Sequence, residues 1–194
     1  MPTRALVHRA WQALARLLAP RRATSPPALA ELPTWARVGK QRRAHIRRVA
    51  ELVAGWADEM EVSERERERW LRAVWLHDAL RDARLPPDTT HGAAAADRAA
   101  REGERDRGVL DAVRYHSVGY AAWDDVGKML YLADYLEPGR KRRRKERAKL
   151  AERVPHERDR VLQEVVALQV RARLRARRAI HALTIEFWNS LTEH

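Results

Sequence analysis

The nine residues Trp70-Leu71-Arg72-Ala73-Val74-Trp75-Leu76-His77-Asp78 open with the most apolar run of the chain and close on two ionisable side chains. Just upstream, Ser63 is followed three residues later by Glu66, a capping box, so the spacing predicts a helix running from there to about Leu80. A helix this apolar is buried, and burying a charge without a partner is costly. His77 and Asp78 therefore carry both the fold question and the functional one.

The same helical period extends in both directions. Upstream, His45, Val49, Leu52, Val53, Trp56 and Met60 fall on one stripe. Downstream, Thr89 or Thr90 can cap a short alanine-rich helix over 92–101. Further helices fit 109–115, 126–136, 141–153 and 157–179, and a last one runs from about Leu183 to the terminus. No run alternates like a half-buried strand and no repeat is visible. The predicted fold class is all-α.

Residues 1–33 read differently. Val7, Trp11, Leu14 and Leu18 recur at helical spacing with Arg4, Arg9 and Arg16 between them, and Pro20, Pro26, Pro27 and Pro33 follow as a linker. The expectation is a basic amphipathic extension over 1–33 and one helical domain over 34–194. An extra helix packing on that domain is favoured over one lying on anionic lipid. Arg and His interrupt any apolar stretch long enough for a secretory signal, so a cytoplasmic location is expected.

Composition excludes several classes. Of 194 residues, 45% are hydrophobic and seven are Trp, enough for a core, which argues against disorder. The chain has no cysteine, and so no disulfide framework, thiolate zinc site or cysteine nucleophile. No apolar stretch approaches the roughly 20 residues a membrane span requires. Lys and Arg number 39 against 27 acidic residues, a net charge of +12 carried almost wholly by arginine. Such a surplus favours anionic partners, but its sign alone does not separate nucleic acid from a small phosphate ester.

Ionisable residues lie on apolar faces at four places. His45 shares its stripe with Val49 and Trp56; His77-Asp78 ends the Trp70 run; Asp134 interrupts Met129-Leu130-Tyr131-Leu132-Ala133; His116 follows Val109 and Val113. A single inward His is more often a hydrogen-bonded core residue, and an inward Asp a cap or an arginine partner. Several imidazoles and two carboxylates together are harder to bury, and a divalent metal is the simplest compensation. Neutral imidazole and carboxylate oxygen suit zinc, iron or manganese without thiolate.

His45, then His77-Asp78, then Asp134 resembles the H…HD…D signature of the HD superfamily, helical metal-dependent phosphohydrolases. Within it, Thr90-His91-Gly92, Arg114-Tyr115-His116-Ser117-Val118-Gly119 and Tyr131-Leu132-Ala133-Asp134-Tyr135-Leu136-Glu137-Pro138-Gly139-Arg140 look like the motifs of the YqeK-type branch. Ile180-His181-Ala182-Leu183-Thr184 and Asn189 are similar to that branch's C-terminus. The resemblance implies an HD-domain helical bundle with two divalent metal ions, iron expected and manganese or zinc the alternatives. It implies symmetrical cleavage of diadenosine tetraphosphate, a dinucleoside polyphosphate, to two ADP by a metal-activated water. By motif, His45, His77, Asp78 and Asp134 would hold one ion and His91 and His116 the second, with Asp78 bridging; His77 and Asp78 are the catalytic pair. A homodimer is compatible with this reading.

Two positions depart from the branch. Arg81 stands where the family usually has lysine, replacing a point charge by a planar fork. His91 follows Asp78 by only 13 positions, a shorter connection than the pattern leads one to expect. Arg81 and Arg140 are the candidate phosphate contacts, because guanidinium pairs bidentately with phosphate oxygens. Their alternative is a salt bridge to a local carboxylate such as Asp82 or Glu137.

Two readings compete with the tetraphosphatase. One is an HD-type activity on another nucleotide, a nucleoside phosphate or guanosine polyphosphate. The other is a nucleic-acid-binding helical module with a merely structural His/Asp set. The basic run Arg140-Lys141-Arg142-Arg143-Arg144-Lys145 and the later Arg171, Arg173, Arg175, Arg177 and Arg178 could attract RNA or DNA, although a solvated helix face is the favoured reading of each. No aromatic residues are interleaved with them, so a stacking platform for single strands is unsupported.

Overall fold

The computed structural model describes residues 31–192. These form seven helices and no strand: α1 (Lys40–Glu59), α2 (Glu64–His77), α3 (His91–Arg101), α4 (Arg107–Tyr115), α5 (Asp125–Leu136), α6 (Arg144–Arg175) and α7 (Ala182–Thr192). The fold is all-α. The expected amphipathic helix of the first 18 residues and its linker to Pro27 lie outside the described residues.

Side-chain oxygens start four of the helices. Ser63 accepts from the amide of Glu66, Thr90 from Ala93, Asp106 from Val109 and Asp124 from Val126, each satisfying an amide that the first turn leaves free. Helix α2 is the axis. Its Trp70, Ala73 and Val74 are buried, and α1, α3, α4 and α5 all pack around it. Burying one Trp or Leu side chain contributes about 2 kcal/mol, and the Trp70 run supplies several. Phe187 of α7 wedges between Trp123 and Tyr131, edge-on to both, and the Thr184 hydroxyl donates to the Val118 carbonyl at 2.7 Å. The C-terminal helix is thereby tied to the loop that follows α4.

One boundary differs from expectation for a physical reason, and one break falls where it was expected. Helix α2 stops at His77 rather than Leu80, because the strap before α1 claims the next turn. The Arg37 amide donates to the Ala79 carbonyl at 2.7 Å, the Asp82 amide donates to the Arg37 carbonyl, and the Asp82 carboxylate accepts from the Gly39 amide at 2.8 Å. Asp78 consequently lies off the helix, with φ −111° and ψ 12°. The break expected between 141–153 and 157–179 is present: α6 consists of two helical segments separated by a kink at Glu157, whose backbone is not helical (φ −134°, ψ 35°), two residues after Pro155. Proline has no amide hydrogen and clashes with the preceding turn, so the bend falls where the ladder is weakest.

Candidate metal centre

Five helices deliver one side-chain cluster. His45 comes from the second turn of α1, His77 from the last residue of α2, His91 from the first of α3 and Asp134 from α5; His116 caps α4, and Asp78 follows α2. Two groups result that are able to hold a metal, His45–His77–Asp134 and Asp78–His91–His116. All six residues expected from the sequence are thus brought together. Asp78 faces both groups. Its Oδ2 lies 3.5 Å from His77 Nε2 and 3.8 Å from His45 Nε2, while its Oδ1 lies 3.1 Å from His91 Nε2 and 3.7 Å from His116 Nε2.

The outer nitrogens of three rings fix their tautomers. His77 Nδ1 donates to the Val74 carbonyl at 2.6 Å and His116 Nδ1 to the Val113 carbonyl at 2.8 Å. His45 Nδ1 donates to Glu137 Oε1 at 3.2 Å. A carbonyl or carboxylate oxygen only accepts, so in each neutral ring Nε2 carries a lone pair. Those lone pairs point inward: His45 Nε2 is 3.1 Å from a further acceptor, Asp134 Oδ1, and His116 Nε2 is 3.0 Å from His91 Nε2. His45 Nε2 and His77 Nε2 are buried and have no hydrogen-bond partner. Lone pairs facing carboxylate oxygens in a buried space need a proton or a cation between them. Burial opposes the proton at His116, whose pKa falls to about 4 despite the neighbouring carboxylates. The donor set therefore fits a divalent cation.

Charge and burial agree with this. Burial alone would raise the Asp78 carboxyl, yet His77, a hydrogen bond from His91, His116 and Arg42 hold it well below the usual carboxylate range. Burial likewise opposes ionisation of Asp134, and His45, Arg140, His77 and His116 outweigh it. The C-terminal ends of α2 and α4 also meet here, and the carbonyls they leave free favour positive charge.

Gly92 makes the second group buildable. A Cβ at that position would stand 2.7 Å from the Val113 carbonyl oxygen, 2.9 Å from that of Arg114 and 3.1 Å from His116 Cε1. Only glycine lets the first turn of α3 sit on the last turn of α4, which is what brings His91 beside His116.

The two arginines singled out in the sequence sit at the cluster but not on the carboxylates considered for them. Arg140 Nε donates to the Asp134 carbonyl at 2.7 Å and its Nη2 to the Asp134 carboxylate; Arg81 Nη1 donates to His91 Nδ1 at 2.9 Å. Because guanidinium never accepts, His91 carries its proton on Nε2 in this arrangement, the opposite tautomer to the other three rings. Asp82 is taken by Gly39, and Glu137 by His45, Arg48 and Gly139.

Sequence reasoning passed over Arg42 and, as a functional residue, Glu137. Arg42 Nη1 donates to Asp78 Oδ2 at 2.7 Å, and its position three residues before the inward His45 was the available signal. Glu137, 2% exposed, orients His45. Its signal was an acid between the apolar α5 and a proline. Burial works against its ionisation, but His45, Arg48 at 2.6 Å and the Gly139 amide at 2.7 Å bring its pKa down to about 2.

Stability without metal should therefore depend on pH with a definite sign. The unfolded chain protonates His116 near the ordinary 6.5 and the folded chain only near 4, so stability falls as pH drops through that window. Glu137 adds stability that is present above about 4.5 and lost as pH falls toward 2. His45, raised by Asp134 and Glu137 against burial, runs the other way, contributing below its ordinary value and losing that as pH rises. Denaturant unfolding of metal-free His116→Asn should show the pH 4–6.5 slope reduced by up to about 1.4 kcal/mol per pH unit relative to wild type. An unchanged slope would mean His116 titrates normally.

Comparison with known proteins agrees with this geometry. The HD domain family model matches residues 42–139, a span containing all six clustered side chains. A segment of 55 residues is 40% identical to the symmetrical bis(5'-nucleosyl)-tetraphosphatase of Bacillus subtilis (strain 168); it covers 28% of this chain and 30% of that protein, less than a third of the relative's length. In overall shape the chain is similar to a predicted HD superfamily hydrolase involved in NAD metabolism from Clostridium acetobutylicum, with a TM-score of 0.68 and 21% identity over 80% of this chain and 91% of that one. Sequence motif, helical architecture and the convergence of histidines and aspartates on one centre lead to a single assignment: the chain belongs to the HD domain family.

Proposed function

We propose that this HD-domain hydrolase cleaves dinucleoside polyphosphates, and diadenosine tetraphosphate symmetrically to two ADP, using two divalent ions, iron first and manganese or zinc as alternatives. The observation that carries the reading is the division of Asp78, one oxygen toward His45 and His77, the other toward His91 and His116. His45, His77 and Asp134 would hold one ion, His91 and His116 the other, and Asp78 would bridge. When bound, such a pair supplies Lewis acidity, acidifying water and withdrawing charge from phosphoryl oxygens.

The chain's own residues prepare the rest. His77 and His116 are locked by backbone carbonyls, and His45 by Glu137, so little reorganisation is needed as charge develops. Arg42, Arg81 and Arg140 stand at the rim with partly or fully exposed side chains, positioned to exchange their present partners for phosphate oxygens. In the cleavage, water oxygen bonds to an inner phosphorus, the bridge to the next inner phosphorus breaks in line, and ADP departs with the bridging oxygen. The partial relative supports this choice of substrate. A second reading, another nucleotide, is favoured by one observation: the short connection of 13 positions between Asp78 and His91, both members of the cluster.

The test is chromatography of the products from diadenosine tetraphosphate. ADP alone is expected. AMP with ATP, or no reaction beside turnover of another nucleotide, would transfer the assignment to the second reading.

A further inference from the structure

We infer that the bent helix α6 carries a binding face for the phosphodiester backbone of a nucleic-acid duplex, separate from the metal centre. Lys145 and Arg171 are 26 positions apart, and a straight helix would hold them about 40 Å from each other. The bend at Glu157 instead makes them line one groove of 610 Å³, together with Lys149. Two basic runs that are each a solvated face on a straight helix are thereby joined.

The groove's charge is not self-cancelling. Its two acids are already paired with arginines: Glu146 with Arg143 at 3.0 Å, and Glu164 with Arg153 at 2.8 Å, while Glu157, which Arg153 also contacts, has Arg160 at 3.6 Å. Lys145, Lys149 and Arg171 form no ion pair among the described residues. Leu150, Ala167 and Leu168 complete the wall, and the flanking Arg144, Arg173 and Arg175 are exposed and extend the positive surface beyond it.

Both the shape and the composition select the partner. A concave strip of unpaired cations suits a polyanion that projects into it, as a sugar-phosphate ridge does. Lys145 and Lys149 are one turn apart, about 6 Å, a length over which each strand of a duplex presents about two phosphates. No aromatic ring lines the groove, so nothing there stacks on unpaired bases, which separates a duplex backbone from single strands. With only backbone contacts, binding should be insensitive to base sequence.

Salt dependence gives the test. Binding of the full-length chain to a fluorescent duplex of about 20 base pairs is measured between about 50 and 200 mM salt, for wild type, for Lys145→Glu/Lys149→Glu/Arg171→Glu, and for a charge-matched control, Arg47→Glu/Arg65→Glu/Arg107→Glu, at exposed positions outside the groove. Loss of three phosphate contacts predicts a slope of log affinity against log salt lower by about 2 to 3 in the groove variant. The control should keep the wild-type slope, and both variants should keep their metal content and hydrolase rate. Equal slope losses in the two variants would reduce the effect to bulk charge. No duplex binding by wild type at the lowest salt, or tighter binding to phosphatidylserine vesicles through the same three residues, would overturn the proposal. A failure to hydrolyse tetraphosphate leaves it untouched, since the groove contains none of the clustered ligands.

Discussion

Asp78→Asn should empty both halves of the metal centre at once. Asparagine keeps the shape of the side chain but removes the negative charge that faces His45 and His77 through one oxygen and His91 and His116 through the other. The remaining carboxylate ligand, Asp134, belongs to only one group. Both ions should be lost on gel filtration, and turnover should fall at least about a thousandfold, the equivalent of some 4 kcal/mol of transition-state stabilisation. His77→Ala should have a similar effect on its own half, and it also opens a cavity where a fully buried ring packs. Asp78→Asn is the cleaner substitution, because its circular dichroism and melting should remain close to those of the metal-free wild type. A variant that keeps its metal and its full rate would refute the role given to Asp78.

Gly92→Ala should damage the second half of the cluster directly, because the added methyl strikes backbone rather than a side chain. The added carbon would meet two carbonyl oxygens of α4 at 2.7 and 2.9 Å, and backbone cannot swing aside as a flexible side chain can. Relief requires α3 to move off α4, which separates His91 from His116, now 3.0 Å apart between Nε2 atoms. Overpacking of this kind costs about 1 to 3 kcal/mol, a fall in melting temperature of about 2 to 12 °C for a domain of this size. Elemental analysis should then show one ion retained and the His91–His116 ion depleted. Gly55→Ala is the control, since a Cβ there meets nothing within 4 Å. Equal melting temperatures for the two variants would contradict the close approach at Gly92.

Much of the site was legible because burial and charge conflict visibly in one dimension. His45, His77, Asp134 and His116 interrupt apolar helical stripes, and nothing about an isolated helix explains why. His91 has no such signature. It is the first residue of α3, directly after the Thr90 cap, and only its resemblance to a family motif pointed to it. Arg42 and Glu137 escaped for a related reason. Each acts on a cluster residue far along the chain, Arg42 on Asp78 and Glu137 on His45, and periodicity carries no record of contacts 36 or 92 residues long.

The fold shows the same limit. Caps at Ser63 and Thr90 were readable because they are local. The early end of α2 was not, since Arg37 imposes it from the strap through its backbone bonds to Ala79 and Asp82. The irregular backbone at Asp78 matters for the chemistry: placed on a regular helix its carboxylate would lie about 100° round from His77, whereas the turn aims it between the two groups. In α6 a break was expected near 153–157, and Pro155 with the non-helical Glu157 supplies it as a kink between two helical segments. That bend, not either basic run, makes the groove at Lys145, Lys149 and Arg171.

Elemental analysis of the chain purified without oxygen goes furthest toward deciding whether a shared carboxylate joins two ion sites. About two equivalents of divalent metal per wild-type chain are expected, falling to near zero in Asp78→Asn. One equivalent, unchanged by that substitution, would show that Asp78 bridges nothing and that the two groups are not a dinuclear centre.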